Sequence, residues 1–263
     1  MSACERSPVR VRPRSFALSP PDFPMRIASR ARSEGTLPDG ANIAFAGLTA
    51  AGKTTHARLL ASELGYGYVS ATEVLLEILG MPVTAERAWL ERYDEVQTAR
   101  AGDAADEELD RRLLELAAGR RHTVFDTWAL AWLAPGPLVR VWIESDPASR
   151  ARKCLVSQTH TRRSLAECHA LVREKDSHTR DSFARRHRFD LHVDHDHFDI
   201  LLCNSHLIPT ADRESADRGI AAFAPIVHGA IAALLEGRPP EDLDRLQSLH
   251  PAEILRIGKH ATP

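Results

Sequence analysis

The chain carries the stretch Gly47-Leu48-Thr49-Ala50-Ala51-Gly52-Lys53-Thr54-Thr55, which matches the pattern G-x-x-x-x-G-K-[ST] at every specified position. The glycines let the backbone wrap around an anion and direct its N–H groups inward. The helix that follows presents positive partial charge at its N-terminus. Lys53 can reach the β- and γ-phosphates of a nucleotide, and the Thr54 hydroxyl can ligate Mg²⁺. The whole stretch from Gly47 to Thr55 is therefore a candidate ATP-binding loop.

The residues on either side of this loop have the patterns that such a loop requires. The preceding segment 42–46 is a short apolar run without Gly or Pro, which is typical of a buried strand. After the loop, apolar residues recur on one helical face: Ala57, Leu60, Ala61 and Leu64. Gly65 then indicates the end of the helix. This order favours a phosphate-binding loop over the alternative, a glycine turn that binds nothing.

Composition and charge narrow the class of protein. The chain has 263 residues, 43% hydrophobic and 27% charged, which is ordinary for a soluble globular protein with a sizeable core. The formal net charge of −2 argues against nucleic acid as a partner. We also find no apolar run that we expect to span a membrane. The 4 cysteines are scattered without a CxxC pair, which fits a reducing cytoplasm.

The two ends of the chain differ from its centre in composition. Residues 1–38 carry many prolines and seven arginines against three acids, so we expect a disordered N-terminal tail. Translation starting at Met25 and an organelle transit peptide are the alternatives for this segment. Residues 237–263 contain proline and are only weakly periodic, and we expect a loosely attached C-terminal tail. The predicted domain is the segment between them, 39–236.

Strand and helix patterns alternate within this domain. Ser70 with Glu73 forms a capping-box sequence at the start of one helix. Besides 42–46, strands are expected at 66–69, 122–126, 138–143 and 198–203, and long helices at 165–187 and 220–235. Strands separated by helices indicate an α/β fold with a five-stranded parallel sheet and helices on both faces.

Several segments, taken in order, resemble the cytidylate kinases of the short archaeal type. They are Gly47 to Ser70, the helix 107–113, the strand Val124-Phe125-Asp126, the run Arg173-Glu174-Lys175-Asp176 with Arg180, and the strand 198–202 with Asn204-Ser205. The resemblance covers residues 42–235. It implies the P-loop kinase fold of nucleoside monophosphate kinases, with a helical flap that binds the acceptor and a mobile lid at about residues 148–190.

Phosphoryl transfer requires alignment and cancellation of charge, and the candidate residues for these functions are Lys53, Asp126, Arg173 and Arg180. Asp126 ends a buried strand, where it can bind the Mg²⁺ shell near Thr54 or act as a base toward a hydroxyl acceptor. Its alternative role is to cap the following helix. Arg173 and Arg180 share one helical face, and the resemblance implies that they act on the phosphates. A solvated, charge-rich face is the alternative for both arginines.

Two departures from the family concern the acceptor. Leu76 or a neighbour stands where the family has an arginine, and Asp126-Thr127-Trp128 stands where it has Glu-Gly-Arg. A monophosphate carries close to two negative charges, which Leu and Trp cannot pair, so we expect CMP to be a poor acceptor. Ser70 is expected to cap its helix, and the matching serine of the family also borders the acceptor pocket. Trp128 is expected either to stack on a flat acceptor or to pack in the core.

A histidine-rich run is a further candidate site. It contains His192, His195 and His197 together with Asp194 and Asp196. Closely spaced imidazoles can hold Zn²⁺, and the alternative is a solvated loop.

These residues predict a phosphotransferase that uses ATP and Mg²⁺ and moves the γ-phosphate to a nucleoside monophosphate or a related small acceptor. We expect a cytoplasmic monomer that binds neither nucleic acid nor a membrane. The alternatives are an ATP-binding regulatory protein without catalysis and an NTP hydrolase.

Overall fold

The structure is a computed structural model that describes residues 40–83, 88–100, 102–160 and 162–258. The expected N-terminal tail, residues 1–38, lies outside the described residues. From residue 42 onward the described part alternates strands and helices, as the sequence predicted.

One mixed sheet forms the centre of the fold. Its strands are β1 Asn42–Gly47, β2 Gly67–Ser70, β3 Thr123–Asp126, β4 Leu138–Glu144, β5 Ile200–Cys203 and β6 Ile254–Ile257. Their order across the sheet is β2-β3-β1-β4-β5-β6. The first five strands run parallel, which confirms the predicted parallel sheet, and β6 pairs antiparallel with β5. The described sheet therefore has six strands and not the expected five.

Helices connect the strands and cover the sheet. Their bounds are α1 Lys53–Leu64, α2 Ala71–Ile78, α3 Ala88–Glu91, α4 Tyr93–Ala99, α5 Ala104–Gly119, α6 Leu130–Leu133, α7 Pro147–Val156, α8 Leu165–His187, α9 Arg213–Leu235 and α10 Pro240–Leu249. The bounds of α8 are those that the sequence predicted. α9 begins earlier than the expected residue 220 because the Asp212 side chain accepts a hydrogen bond from Ser215 N at 2.7 Å and caps the helix there.

The sheet carries a hydrophobic core on each face, as expected for a sheet covered by helices on both sides. Side chains of β1 alternate between the two cores, so that Ile43 and Phe45 face one and Ala44 and Ala46 face the other. The first core also contains residues of α1, α9 and α10, and the second contains residues of α2, α5 and α6. The carboxyl ends of the parallel strands form the edge of the sheet at which ligands bind in open α/β folds.

The segment after α9 is not the loosely attached tail that the sequence suggested. It forms α10 and then β6, and Ile254 and Ile257 of β6 are buried in the same core as α9. The sequence prediction missed β6 because its four residues show no alternation, with only the first and the last buried. Hydrogen bonds from the neighbouring strand β5 hold this segment in place.

α9 is long and apolar enough to cross a membrane by length and composition alone, contrary to the expectation from the sequence. One such helix is weak evidence for a membrane span, because a core helix of a soluble protein passes the same test. Phe223, Val227 and Ile231 lie on its inner side and pack into the core with α1. A core helix of a globular protein has the same pattern.

Candidate active site

The predicted phosphate-binding loop lies between β1 and α1, at the carboxyl edge of the central strand. A Cβ atom at Gly47 would lie 2.6 Å from the carbonyl oxygen of Ile143, and this glycine has a φ of 149°. Gly52 has a φ of 100°, a left-handed conformation directly before the helix. Both glycines of the pattern are therefore required by close approach or by backbone conformation.

Lys53 is held at this loop by two backbone carbonyls. Its Nζ donates hydrogen bonds to Gly47 O at 2.7 Å and to Leu48 O at 2.9 Å. Burial lowers the pKa of Lys53, and the nearby carboxylates of Asp126 and Asp176 partly offset this effect. The structure thus places the expected ammonium beside the loop that would receive phosphates.

Asp126 and Thr54, both predicted to bind metal, are in direct contact. The Thr54 hydroxyl donates to Asp126 Oδ2 at 2.5 Å, and the Tyr68 hydroxyl donates to the same oxygen at 3.2 Å. Hydroxyl and carboxylate oxygens are hard ligands of the kind that Mg²⁺ prefers, so this pair fits the ion. The alternative role of Asp126 as a helix cap is wrong, because α6 has Ala129 as its N-cap and no side-chain cap bond. Sequence reasoning missed Tyr68, which a neighbouring strand brings to the carboxylate.

A buried ion pair connects the loop to α7 and α8. Asp176 of α8 accepts a hydrogen bond from Thr49 N at 2.9 Å, and it forms an ion pair with Arg150 of α7. Arg150 also donates to Thr49 O at 3.3 Å. Sequence reasoning missed both Asp176 and Arg150, because both lie in charge-rich segments.

A second buried network lies on the other side of the loop. Lys153 of α7 donates to Asn204 Oδ1 at 2.5 Å and to Ser145 Oγ at 2.8 Å. Asn204 in turn donates from Nδ2 to Ala51 O at 2.8 Å. Burial lowers the pKa of Lys153 to about 7. The network thus holds a lysine close to the loop through hydrogen bonds to two uncharged side chains.

The two arginines predicted to act on phosphates do not face the loop. Arg173 and Arg180 are exposed, and Arg180 forms an ion pair with Asp190. Lys175, which lies between them on α8, is buried and faces the loop together with Asp176. The prediction that the arginines share a face is confirmed, but this face points to solvent. α8 turns its inward side to α7 through Cys168, Leu171 and Val172, and Lys175 and Asp176 continue that stripe.

Two cavities adjoin this group of residues. The larger, about 320 Å³, lies over the loop and is lined by Asp126, Trp128, Lys153, Lys175 and Asn204 among others; we name it the loop cavity. The smaller, about 180 Å³, is lined by Arg100, Asp106, Lys175, His178 and Ser182 among others; we name it the side cavity. Lys175 lies on the wall of both. The loop cavity has the size of small-ligand sites in proteins.

The far end of the loop cavity is formed where α9 passes the segment after β5. A Cβ atom at Gly219 would lie 2.5 Å from Leu207 O and 2.8 Å from Ile208 Cγ1. All three residues line the cavity. The absence of a side chain at Gly219 therefore lets helix and segment approach each other at this wall.

The two residues expected at the acceptor have structural partners. Ser70 Oγ accepts a hydrogen bond from Glu73 N at 3.4 Å, so its cap role is confirmed, and Ser70 pairs in register with Asp126. Trp128 is half-buried and packs against one core cluster. Lys175 Nζ lies 5.2 Å from the centre of the Trp128 ring and Arg100 Cζ 5.9 Å from it. Trp128 thus lies beside two cations as well as against the core.

The histidine-rich run does not form a metal centre in the described part of the chain, where no group of three or more metal-ligating side chains occurs. The His195 ring packs on the Trp142 ring with 4.0 Å between the ring centres. His195 Nε2 forms a hydrogen bond of 3.0 Å with Leu191 O. The contacts of His195 are those of a packing residue.

The family model described as "Cytidylate kinase-like family" matches residues 42–206 of this chain, more than half of its length. The chain is 28% identical over 203 residues to a cytidylate kinase of Haloquadratum walsbyi, covering 76% of this chain and 97% of that protein. It is 23% identical over 184 residues to a cytidylate kinase of Natronomonas pharaonis, covering 70% and 91%.

Solved structures of other small-molecule kinases also match. A shikimate kinase from Bacteroides thetaiotaomicron is 16% identical with a TM-score of 0.44, covering 71% of this chain and 98% of that one. A gluconokinase from Sinorhizobium meliloti is 15% identical with a TM-score of 0.37, covering 72% and 96%.

Proposed function

This chain belongs to the cytidylate kinase-like family, and we propose that it transfers the γ-phosphate of ATP to a nucleoside monophosphate or a related small acceptor. The family and the relatives support a kinase of nucleotides or other small molecules. One observation carries the proposal. The Thr54 hydroxyl and the Asp126 carboxylate meet at 2.5 Å next to a loop that begins a helix and holds Lys53.

The donor site follows from the residues around the loop. The backbone N–H groups of the loop and the N-terminus of α1 attract the phosphates, and Lys53 adds a positive charge beside them. Thr54 and Asp126 would hold Mg²⁺, which when bound offsets negative charge on the phosphate oxygens. Lys153 brings a further cation from α7, in the network that reaches Ala51. The loop cavity extends from these groups to Leu207 and leaves room for the remainder of a nucleotide.

This site would supply positioned charges for the phosphoryl transfer and no covalent chemistry. Transfer of a phosphoryl group needs the attacking and leaving oxygens in line, with cations around the group in transit. A phosphate acceptor needs no base, since its oxygen is already ionised. For a hydroxyl acceptor, Asp126 would take the proton. Arg173 and Arg180 are exposed, and they would act on the phosphates only after a movement of α8.

The identity of the acceptor is a separate part of the proposal. Relatives named cytidylate kinase make CMP the first candidate. Leu76 is 1% exposed in the core, so this side chain offers no substitute for the arginine that the family has in this helix. Trp128 likewise provides no charge. We therefore propose that CMP is a weak acceptor unless other cations bind its phosphate.

We further propose a cytoplasmic monomer that acts on small molecules, with a lid at about residues 148–190. The buried thiols of Cys154 and Cys168 are not joined in a disulfide, which is compatible with a reducing compartment. Light scattering on the purified full chain measures the number of subunits, and a mass of two chains would contradict the monomer.

The test of the activity is transfer of labelled γ-phosphate from ATP, with Mg²⁺, to a panel of nucleoside monophosphates, nucleosides and small hydroxyl compounds. We expect label on at least one acceptor, and loss of this transfer in the Lys53→Met variant. Phosphate released equally with and without acceptors would instead indicate a hydrolase. ATP binding without any turnover by folded protein would indicate a regulatory protein.

A further inference from the structure

The wall between the loop cavity and the side cavity carries two cations beside one aromatic ring. Lys175 Nζ is 5.2 Å from the centre of the Trp128 ring, and Arg100 Cζ is 5.9 Å from it. Lys175 is 7% exposed and lines both cavities, while Arg100 lines the side cavity. The two cations come from separate elements, since Arg100 follows α4 and Lys175 lies on α8.

Acidic side chains lie close to both cations. Arg100 Nε donates to Asp106 Oδ1 at 2.5 Å, and Arg186 lies 3.6 Å from the other oxygen of the same carboxylate. Arg186 also forms an ion pair with Asp110 at 2.5 Å, so the two guanidinium groups face two carboxylates. Asp176, which also faces Lys175, already forms an ion pair with Arg150.

Burial and two neighbouring cations act on the pKa of Lys175. Burial is the largest cause of a pKa lowered to about 7, and repulsion from Lys53 and Arg100 lowers it further. Asp176 and Asp126 raise it by less. An anion placed between these cations would relieve the repulsion and restore the charge on Lys175.

We propose that Lys175 and Arg100 bind the phosphomonoester group of the acceptor beside Trp128. These two residues would supply the positive charge that Leu76 and Trp128 do not provide. A phosphomonoester carries close to two negative charges at neutral pH, which matches two cations. Lys175 is electrostatically coupled to both Lys53 and Arg100, so an anion bound there lies between the donor loop and the side cavity. This inference rests on the proposed function and specifies the class of its acceptor.

The assignment also gives Trp128 a different role from stacking on a flat acceptor. Its ring contributes a negative face that favours nearby cations, and its other contacts are with the core. We therefore infer that the acceptor is recognised first by its anionic group, with the rest of the molecule reaching into the side cavity.

Isothermal titration calorimetry on the full chain tests this site without turnover. The probes are CMP, ribose 5-phosphate and cytidine, each added with Mg²⁺ and a non-hydrolysable ATP analogue present. We expect both phosphomonoesters to bind and cytidine to bind at least about 10-fold more weakly than CMP, because charge-assisted bonds are lost. Lys175→Met and Arg100→Gln should each weaken CMP binding roughly 10- to 100-fold.

Arg92→Gln is the matched control. Arg92 directly precedes α4, pairs with the exposed Glu95 and lines neither cavity, so this variant should keep the wild-type affinity for CMP. Circular dichroism and thermal unfolding show whether each variant is folded. If Arg100→Gln does not fold, Lys175→Met decides alone, because Asp176 retains Arg150 and Asp126 retains Thr54 in that variant.

Proton uptake separates a direct contact from a structural effect. At pH 8 the wild type should take up a fraction of one proton when CMP binds, measured in buffers of different ionisation enthalpy. Lys175→Met should take up less. Equal binding of cytidine and CMP, or wild-type CMP affinity in Lys175→Met, would overturn the inference.

The inference and the proposed activity can fail separately. Charge-dependent binding of CMP with no phosphoryl transfer to any acceptor would contradict the activity and leave the anion site standing. Transfer to an uncharged acceptor, unaffected by Lys175→Met, would support the activity and refute the anion site.

Discussion

Asp176 Oδ1 accepts a hydrogen bond from the backbone N–H of Thr49, with 2.9 Å between the two atoms. The two residues are 127 positions apart in the chain. The contact places a buried carboxylate of α8 directly against the candidate phosphate-binding loop, and Arg150 binds to both partners. The conformation of the loop is therefore coupled to the position of α8.

Asp176→Ala should lower both stability and ATP affinity. Removal of one partner leaves the Arg150 charge buried and unpaired, which costs about 3–5 kcal/mol in the free energy of unfolding. Urea unfolding and titration with an ATP analogue measure the two effects. Asp181→Ala, at an exposed position of the same helix, should change neither. The double variant Arg150→Met with Asp176→Leu should regain stability but not ATP affinity. A double variant that binds ATP like the wild type would refute the coupling.

Asp126→Ala should reduce acceptor-dependent turnover by roughly 10²- to 10³-fold, since a charged group at the reacting phosphate is lost. Tyr68→Phe is the matched control because it removes only the longer of the two hydrogen bonds to this carboxylate. Its effect should stay below about 10-fold. The measurement is kcat at several Mg²⁺ concentrations. Comparable losses in both variants would mean that Asp126 acts through local packing and not through its charge.

Two glycines of α9 should respond oppositely to alanine. A Cβ at Gly219 would lie 2.5 Å from Leu207 O, whereas a Cβ at Gly229 meets nothing within 4 Å. Gly219→Ala should destabilise the protein by about 1–3 kcal/mol and weaken ATP binding, because the wall of the loop cavity must move. Gly229→Ala should stabilise it by about 0.5–1 kcal/mol through helix propensity. Thermal unfolding with ATP-analogue titration checks both, and equal effects would contradict the close approach at Gly219.

Lys175 should make stability rise with pH above neutrality. Its pKa in the folded protein is about 7, mainly because of burial, and in the unfolded chain it is about 10.4. Between these values the unfolded chain binds a proton that the folded protein lacks, so the free energy of unfolding increases with pH. The expected slope from this residue is at most about 1.4 kcal/mol per pH unit.

Urea unfolding of the wild type and Lys175→Met at pH 6 to 9 measures this slope. The variant should be more stable than the wild type near pH 7, and its advantage should shrink as the pH rises. Lys153, whose pKa is also lowered to about 7, affects both proteins alike and cancels in the difference. A stability difference that does not change with pH would show that Lys175 titrates normally.

Several features were open to prediction because they depend on residues close together in the chain. The strand before the candidate loop and the helix after it are local features, and both are confirmed. Ser70 caps α2 for the same reason. The stripe of Cys168, Leu171 and Val172 on α8 was also readable, and one further turn brings Lys175 and Asp176 to the same side. That spacing indicates their inward position, whereas the resemblance implied a role for the two arginines.

The sequence by itself determined the class of fold, the bounds of α8 and the position of the candidate loop between a strand and a helix, because periodicity and capping act over a few residues. Only the tertiary structure decided how α8 is rotated against its neighbours, and with it that Lys175 and Asp176 face the loop while Arg173 and Arg180 face solvent. It also brought Tyr68 to Asp126, Arg100 to Trp128 and β6 to the sheet. Helical spacing relates residues of one helix to each other, whereas packing against other elements selects the side that is buried.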